Sequence, residues 1–268
     1  MHASPIRVSQ GDSLGEGAAA WPVWRQRLVF FALLLFLTVY WGVGLLILLT
    51  AGAFSRLFCS EKERSELGRQ LLGGLFHGLT SVIELTGAVH VRRENSERLK
   101  SQSGPVIIAP NHPALWDVLF MLDLVRDAAC IMKSGLRGNP LLSQGAQFAG
   151  FLPNAPKLAM VKSAVAHLDD GGKLIIFPEG TRSGQGSVGD FRPGVALIAK
   201  ESGAPVLPVF IRTSSSYLSK GWPLLKPPEF PITIEISVGE PQRVADGEQT
   251  RDFSERLRKL YAKTLSGG

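Results

Sequence analysis

His112 and Asp117 stand five positions apart in the stretch NHPALWD, between the apolar runs VIIAP and VLFML. An imidazole beside a carboxylate is a proton-transfer device. The carboxylate accepts one ring N–H, orients the ring and stabilises its cation, and the other nitrogen is left to act as a general base. Spacing restricts how the two can meet. On one continuous helix, residues five apart differ by about 140° and point different ways. They meet only if His112 lies in a loop and Asp117 near the first turn of the following helix. Pro113 suits that arrangement, because proline fits a loop or a helix start. Asn111 then sits at the end of the preceding strand and holds the turn. Taken alone the pair is a common pattern, more often met where an aspartate caps a helix beside an incidental histidine.

A second polar cluster ends the stretch GGKLIIFPEGTRS, residues 171–183. Glu179, Thr181 and Arg182 fall on a short turn after a strand, and Gly180 allows close backbone approach. An arginine there can grip a phosphate or carboxylate through paired N–H donors. The bland alternative is a salt-bridged surface turn.

The elements that must position these residues are legible from periodicity. Strand candidates are Val89–Arg92, Val106–Ala109, Ala129–Met132, Leu174–Phe177, Val206–Ile211 and Ile232–Val238. Helical stretches fall between many of them: Leu115–Val125, Pro140–Phe148, Lys157–Leu168, Pro193–Glu201 and Asp252–Leu265. Several strands are almost wholly apolar, as a sheet covered on both faces requires. The fold class is α/β, a mostly parallel sheet flanked by helices. In such sheets ligands gather at the carboxyl ends of strands, where both polar clusters fall.

Leu28 to Ser55 carries no charged residue and is bounded by Arg27 and Arg56. As a straight helix it reaches about 42 Å, against a hydrocarbon core of about 30 Å. Two forms fit an N-terminal membrane-embedded segment: a tilted single helix, or a helical hairpin broken near Gly42 and Gly44. A cleaved signal peptide is disfavoured by the length of the run and of the leader before it. The organisation expected is a disordered leader over residues 1–24, a membrane anchor over 25–56 and a catalytic α/β domain over 57–268. Within the last, residues 61–86 read as a helix, with Leu67, Leu71, Leu75, Leu79 and Val82 on one stripe and Gly87 at its end.

Composition narrows the function classes. Hydrophobic residues at 45% supply a full core, and the net charge of +6 suits a membrane surface or a phosphate-bearing substrate. Nucleic acid is disfavoured as a partner, since no binding module or basic-aromatic interleaving is present. The two cysteines and five histidines show no metal-ligand spacing, so no metal is expected. No GxSxG elbow exists, which sets an α/β hydrolase aside.

NH-x4-D followed about sixty positions later by FPEGTRS resembles the glycerolipid acyltransferase family that includes the lysophosphatidate acyltransferases. The segment APVLPVFI, residues 204–211, resembles that family's last block, and the likeness covers roughly residues 85–240. The resemblance implies transfer of an acyl group from acyl-CoA or acyl carrier protein to a hydroxyl of a lyso-lipid. It implies His112 as general base and Asp117 as its orienting partner. Asn111, Lys133, Glu179, Gly180, Thr181 and Arg182 would form the acceptor site. It implies no metal or organic cofactor, since the thioester is already activated. It also implies a place at a bacterial-type inner (cytoplasmic) membrane, with the catalytic domain facing the cytoplasm. One departure stands out. Between the two motifs the family carries Gly-x-Ile/Phe-x-x-Arg, whereas here the text is GFLPNAP and no arginine follows Gly150 until Arg182. A lyso-lipid without phosphate, such as lyso-ornithine lipid, or a polyene pigment lipid therefore remains an alternative acceptor. A catalytically idle lipid-binding scaffold would have no need of His112, Asp117, Glu179 and Arg182 together.

Overall fold

The computed structural model describes residues 20–132, 140–153, 157–183, 188–223 and 225–266. Helices α1 (Val23–Phe58) and α2 (Glu61–Leu85) precede a seven-stranded sheet. In chain order there follow β1 (Val89–Glu94), α3 (Glu97–Ser101), β2 (Val106–Pro110), α4 (Asp117–Leu124), β3 (Ala129–Met132) and α5 (Pro140–Phe148). After these come β4 (Leu152–Pro153), α6 (Lys157–Asp169), β5 (Lys173–Ile175), α7 (Gly194–Ser202), β6 (Val206–Thr213), β7 (Ile232–Val238) and α8 (Thr250–Ser266). Strand order is β1-β7-β6-β2-β5-β3-β4, parallel throughout except for the β6–β7 pair.

The central position of β2 explains its composition. All five of its residues are buried, so both faces must be apolar. Ile108 points into a core shared with Phe30 of α1 and with Phe120 and Met121 of α4. Ile107 points the other way, into a core closed by Val161 of α6, Ile198 of α7, and Phe253 and Leu257 of α8. Strand β7 alternates buried and half-buried residues, the period-two pattern of a strand with only one face covered.

The N-terminal segment is one unbroken helix of 36 residues, so the hairpin reading with a break at Gly42 and Gly44 is corrected. Gly44 instead serves helix packing: a Cβ there would lie 3.2 Å from Leu75 of α2. The Tyr40 hydroxyl donates to the Leu75 carbonyl at 2.7 Å. The chain turns only at Cys59 and Ser60, where Ser60 and Glu63 form a capping box that starts α2. Helix α1 begins at Val23, two residues before the expected anchor boundary. Of the expected leader, residues 1–19 lie outside the described residues. Trp21 is ordered, its N–H donating to the Phe230 carbonyl at 3.0 Å. Along its length α1 also touches the body through Phe30, which meets Tyr217, and through Gly52, whose Cβ would lie 3.5 Å from Phe148.

Candidate active site

β2 runs out at Pro110, and the residues after it are pinned to neighbouring elements. Asn111 is 3% exposed. Its side-chain amide donates to the Ile211 carbonyl at 2.9 Å and accepts from the Ile211 N–H at 2.6 Å. The side chain thus imitates a strand residue against β6. Asn111 thus holds the turn, the part its place at the strand end predicts. From the opposite face of the sheet, the Tyr261 hydroxyl of α8 donates to the Ala109 carbonyl. Burial raises the Tyr261 phenol far above its ordinary value, which keeps it a donor.

His112 follows in the loop, and Asp117 is the first residue of α4. His112 Nδ1 and Asp117 Oδ2 are 2.9 Å apart. The same Oδ2 accepts the Ala114 N–H at 2.7 Å. Because Nδ1 faces a carboxylate, it carries the proton, and Nε2 keeps its lone pair. The imidazole lies on the Phe177 ring, with centroids 4.3 Å apart and planes tilted by 34°. The His112 side chain is 14% exposed and Asp117 only 1%. Burial lifts the Asp117 carboxyl to about 6, with the hydrogen bond to His112 pulling the other way. At its far end α4 is tied to α2, where Asp123 accepts from Thr80 Oγ1 at 2.8 Å and meets His77 Nδ1 at 2.8 Å. The helix carrying Asp117 is therefore held at both ends.

The second loop lies directly against the first. Glu179 is 4% exposed. Its Oε1 accepts the His112 N–H at 3.2 Å and its Oε2 accepts the Gly189 N–H at 2.9 Å. Like Asn111, it braces the backbone of the site. The His112 carbonyl accepts the Ser183 N–H at 2.9 Å, so the two loops are stitched from both sides. Gly180 has φ 65°, and a Cβ there would lie 2.5 Å from Arg192 Nε. That position admits only glycine comfortably. Thr181 is exposed. Arg182 Nη1 donates to the Leu218 and Ser219 carbonyls at 2.8 and 3.2 Å. Lys133 lies outside the described residues.

Phe177, Arg192, Leu218 and Tyr261 join this arrangement without having been singled out in the sequence. Phe177 is the first residue of FPEGTRS and was readable as part of that motif. Arg192 reaches the loop through Nε, which donates to the Glu179 carbonyl at 3.4 Å. Leu218 acts through its backbone carbonyl, for which residue type carries no signal, and Tyr261 through its hydroxyl on a carbonyl distant in sequence.

A family model described as Acyltransferase matches residues 79–212, half of the chain. The 1-acyl-sn-glycerol-3-phosphate acyltransferase of Pseudomonas aeruginosa is 30% identical over 166 residues, 59% of this chain and 62% of that protein. The chain thus spans under two thirds of that relative's length. A 1-acyl-sn-glycerol-3-phosphate acyltransferase of Limnanthes alba is 26% identical over 247 residues, covering 88% of this chain and 80% of its own. The crystal structure of the 1-acyl-sn-glycerophosphate acyltransferase of Thermotoga maritima superposes with a TM-score of 0.68 at 22% identity. It covers 91% of this chain and 97% of its own. At that identity the superposition shows a shared fold.

Proposed function

The chain belongs to the acyltransferase family, and we propose that it is a membrane-bound enzyme moving a fatty acyl group from acyl-CoA or acyl carrier protein to the free hydroxyl of 1-acyl-glycerol-3-phosphate. The observation that carries this reading is the His112–Asp117 pair, 2.9 Å apart, on a loop stitched to the one that bears Glu179 and Arg182. In the proposed reaction His112 Nε2 takes the proton of the acceptor hydroxyl as its oxygen attacks the thioester carbonyl. Asp117 stabilises the imidazolium so formed. The tetrahedral intermediate collapses, the C–S bond breaks, and the imidazolium returns its proton to the leaving sulfur. No acyl-enzyme, metal or organic cofactor takes part, because the donor is already activated. Arg182 and Thr181 flank the acceptor head group, and Lys133 adds a second charge.

Membrane attachment rests on α1. Leu28, Phe31, Leu35, Val39, Val43 and Leu46 form an exposed apolar stripe, while Phe30, Gly44, Leu48 and Ser55 face the body. The helix is about 54 Å long and touches the body near both ends. That packing favours a helix lying in one leaflet over one that crosses the bilayer, since a crossing would carry the packed body into hydrocarbon. We place the body on the cytoplasmic face of a bacterial-type inner membrane. Both cysteines are free, in keeping with a reducing compartment.

A second reading keeps the chemistry and replaces the acceptor with a lyso-lipid lacking phosphate. GFLPNAP without its arginine favours it. Purified protein given a labelled acyl thioester and a panel of lyso-lipids decides between them. Transfer to 1-acyl-glycerol-3-phosphate above all others supports the first reading. Transfer only to neutral or zwitterionic acceptors replaces it with the second, and absence of transfer to every acceptor refutes both.

A further inference from the structure

Leu218 stands at φ 60°, one of two non-glycine residues in the left-handed region among those described. A branched side chain rarely adopts that backbone. Its carbonyl oxygen explains what the conformation achieves. It accepts the Leu115 N–H at 3.0 Å and Arg182 Nη1 at 2.8 Å. Leu115 belongs to NHPALWD and Arg182 to FPEGTRS, so one oxygen holds a donor from each motif loop and uses both of its lone pairs. The Ser219 carbonyl adds a second contact to the same Nη1 at 3.2 Å. Nε and Nη2 of Arg182 have no hydrogen-bond partner among the described residues, so within these the guanidinium is anchored at one corner.

The neighbouring Tyr217 fixes this loop in space. Its ring lies 5.2 Å from Trp116, 5.9 Å from Trp222 and 6.4 Å from Phe30 of α1. One tripeptide, Tyr217-Leu218-Ser219, thereby joins the membrane-facing helix, the loop that carries the His112–Asp117 pair, and the arginine of the second loop.

We propose that the Leu218 carbonyl, turned inward by its left-handed backbone, is the positioning element that aims Arg182 at the acyl acceptor. This rests on the acyl-transfer reading above. It assigns Leu218 no contact with substrate. What matters is its backbone, and its half-buried side chain is incidental.

The test is a series at position 218 in the full-length protein, with the acceptor that the wild-type protein uses. Leu218→Gly and Leu218→Asn both tolerate the left-handed region. Leu218→Val keeps an apolar side chain but resists it, and Leu218→Pro locks φ near −65°. The expected result is an acceptor KM near wild type for Gly and Asn, and a rise of about tenfold or more for Val and Pro, the loss of a charge-assisted contact. Donor KM stays unchanged throughout. Arg182→Ala combined with Leu218→Val is expected to be no worse than Arg182→Ala alone, a comparison read among the folded fractions. The reverse order, with Gly impaired and Val normal, overturns the proposal in favour of side-chain packing. Multiplying effects in the double variant, or an unchanged acceptor KM in all four single variants, overturn it too. A wild-type protein that transfers to no lyso-lipid removes the functional reading itself and this inference with it.

Discussion

Asp117→Asn separates the stability of this site from its chemistry. Burial lifts the carboxyl from 3.8 to about 6. The folded state therefore binds that proton more tightly than the unfolded chain does. Stability linked to this group is full below about 4, declines as pH rises to about 6, and stays at its lower level above. The ionised form costs about 3 kcal/mol at neutral pH by this linkage. Asparagine cannot ionise, so that cost disappears. Its carbonyl, placed where Oδ2 now sits, accepts from both His112 Nδ1 and the Ala114 N–H, the two bonds that Oδ2 makes. The buried NH2 group needs an acceptor of its own, and leaving it without one costs about 1–3 kcal/mol. The net expectation is a variant equal to or up to about 2 kcal/mol more stable than wild type at pH 7.5, with the advantage lost and the order reversed toward pH 4, where wild type is protonated and only the cost of about 1–3 kcal/mol for the NH2 group remains. Activity moves the opposite way, because the imidazolium loses its counter-charge. In the related serine-histidine-aspartate triad the same exchange costs about 10⁴ in kcat, and a loss of 10²- to 10⁴-fold is expected here. Urea unfolding at several pH values in one detergent, beside steady-state acyl transfer, reads both. A variant that keeps more than about a tenth of the activity refutes the counter-charge role. A gain in stability that grows toward low pH refutes the burial argument.

His112→Ala is expected to remain folded by circular dichroism while acyl transfer drops at least about 10²-fold, and full activity would falsify the general-base assignment. Tyr261→Phe removes the donor to the buried Ala109 carbonyl. It is expected to lower stability by about 1–3 kcal/mol in urea titration, and an unchanged midpoint would mean that the hydroxyl braces nothing. Gly180→Ala forces a Cβ to within 2.5 Å of Arg192 Nε at φ 65°. Acceptor KM is expected to rise with donor KM unchanged, and the opposite pattern in initial-rate kinetics would move this loop to the donor side.

How much of this was readable beforehand depends on which atoms do the work. β3 and β7 match their sequence-derived bounds, and β7 does so because its Ile and Val residues alternate with Thr233, Glu235 and Ser237 between Pro231 and Gly239. The meeting of His112 with Asp117 followed from helical geometry and Pro113, and the pair is indeed split between a loop and a helix start. Asn111 and Glu179 show where that logic thins. Both are polar and both sit in recognised motifs, and the turn-holding part of Asn111 follows from its place at the strand end. The backbone partners of the two side chains on Ile211, His112 and Gly189 do not follow from sequence. A motif shows that a carboxylate is needed at a position, but not whether a ligand or a main-chain N–H needs it. Helix α1 gives the same lesson in packing. Gly42 and Gly44 looked like a break because glycine weakens helices in isolation. Leu75 fills the space above Gly44, and that tertiary contact outweighs a local propensity of about 1 kcal/mol.

The least legible element, Tyr217-Leu218-Ser219, sets a limit of a different kind. SSSYLSKGWP has the composition of an ordinary loop, and a leucine is not a residue type expected at a left-handed position. Its importance lies in two carbonyl oxygens, which every residue possesses. Only the fold, by laying β6 next to β2 and ending both at the same edge, brings those oxygens beside Leu115 and Arg182. A chain with the same two motifs but a loop that could not turn inward at this point would keep its His–Asp pair and lose the aim of its arginine. On the proposed reading, then, the motifs specify the proton transfer, and an unremarkable loop between two strands sets how the acceptor is held.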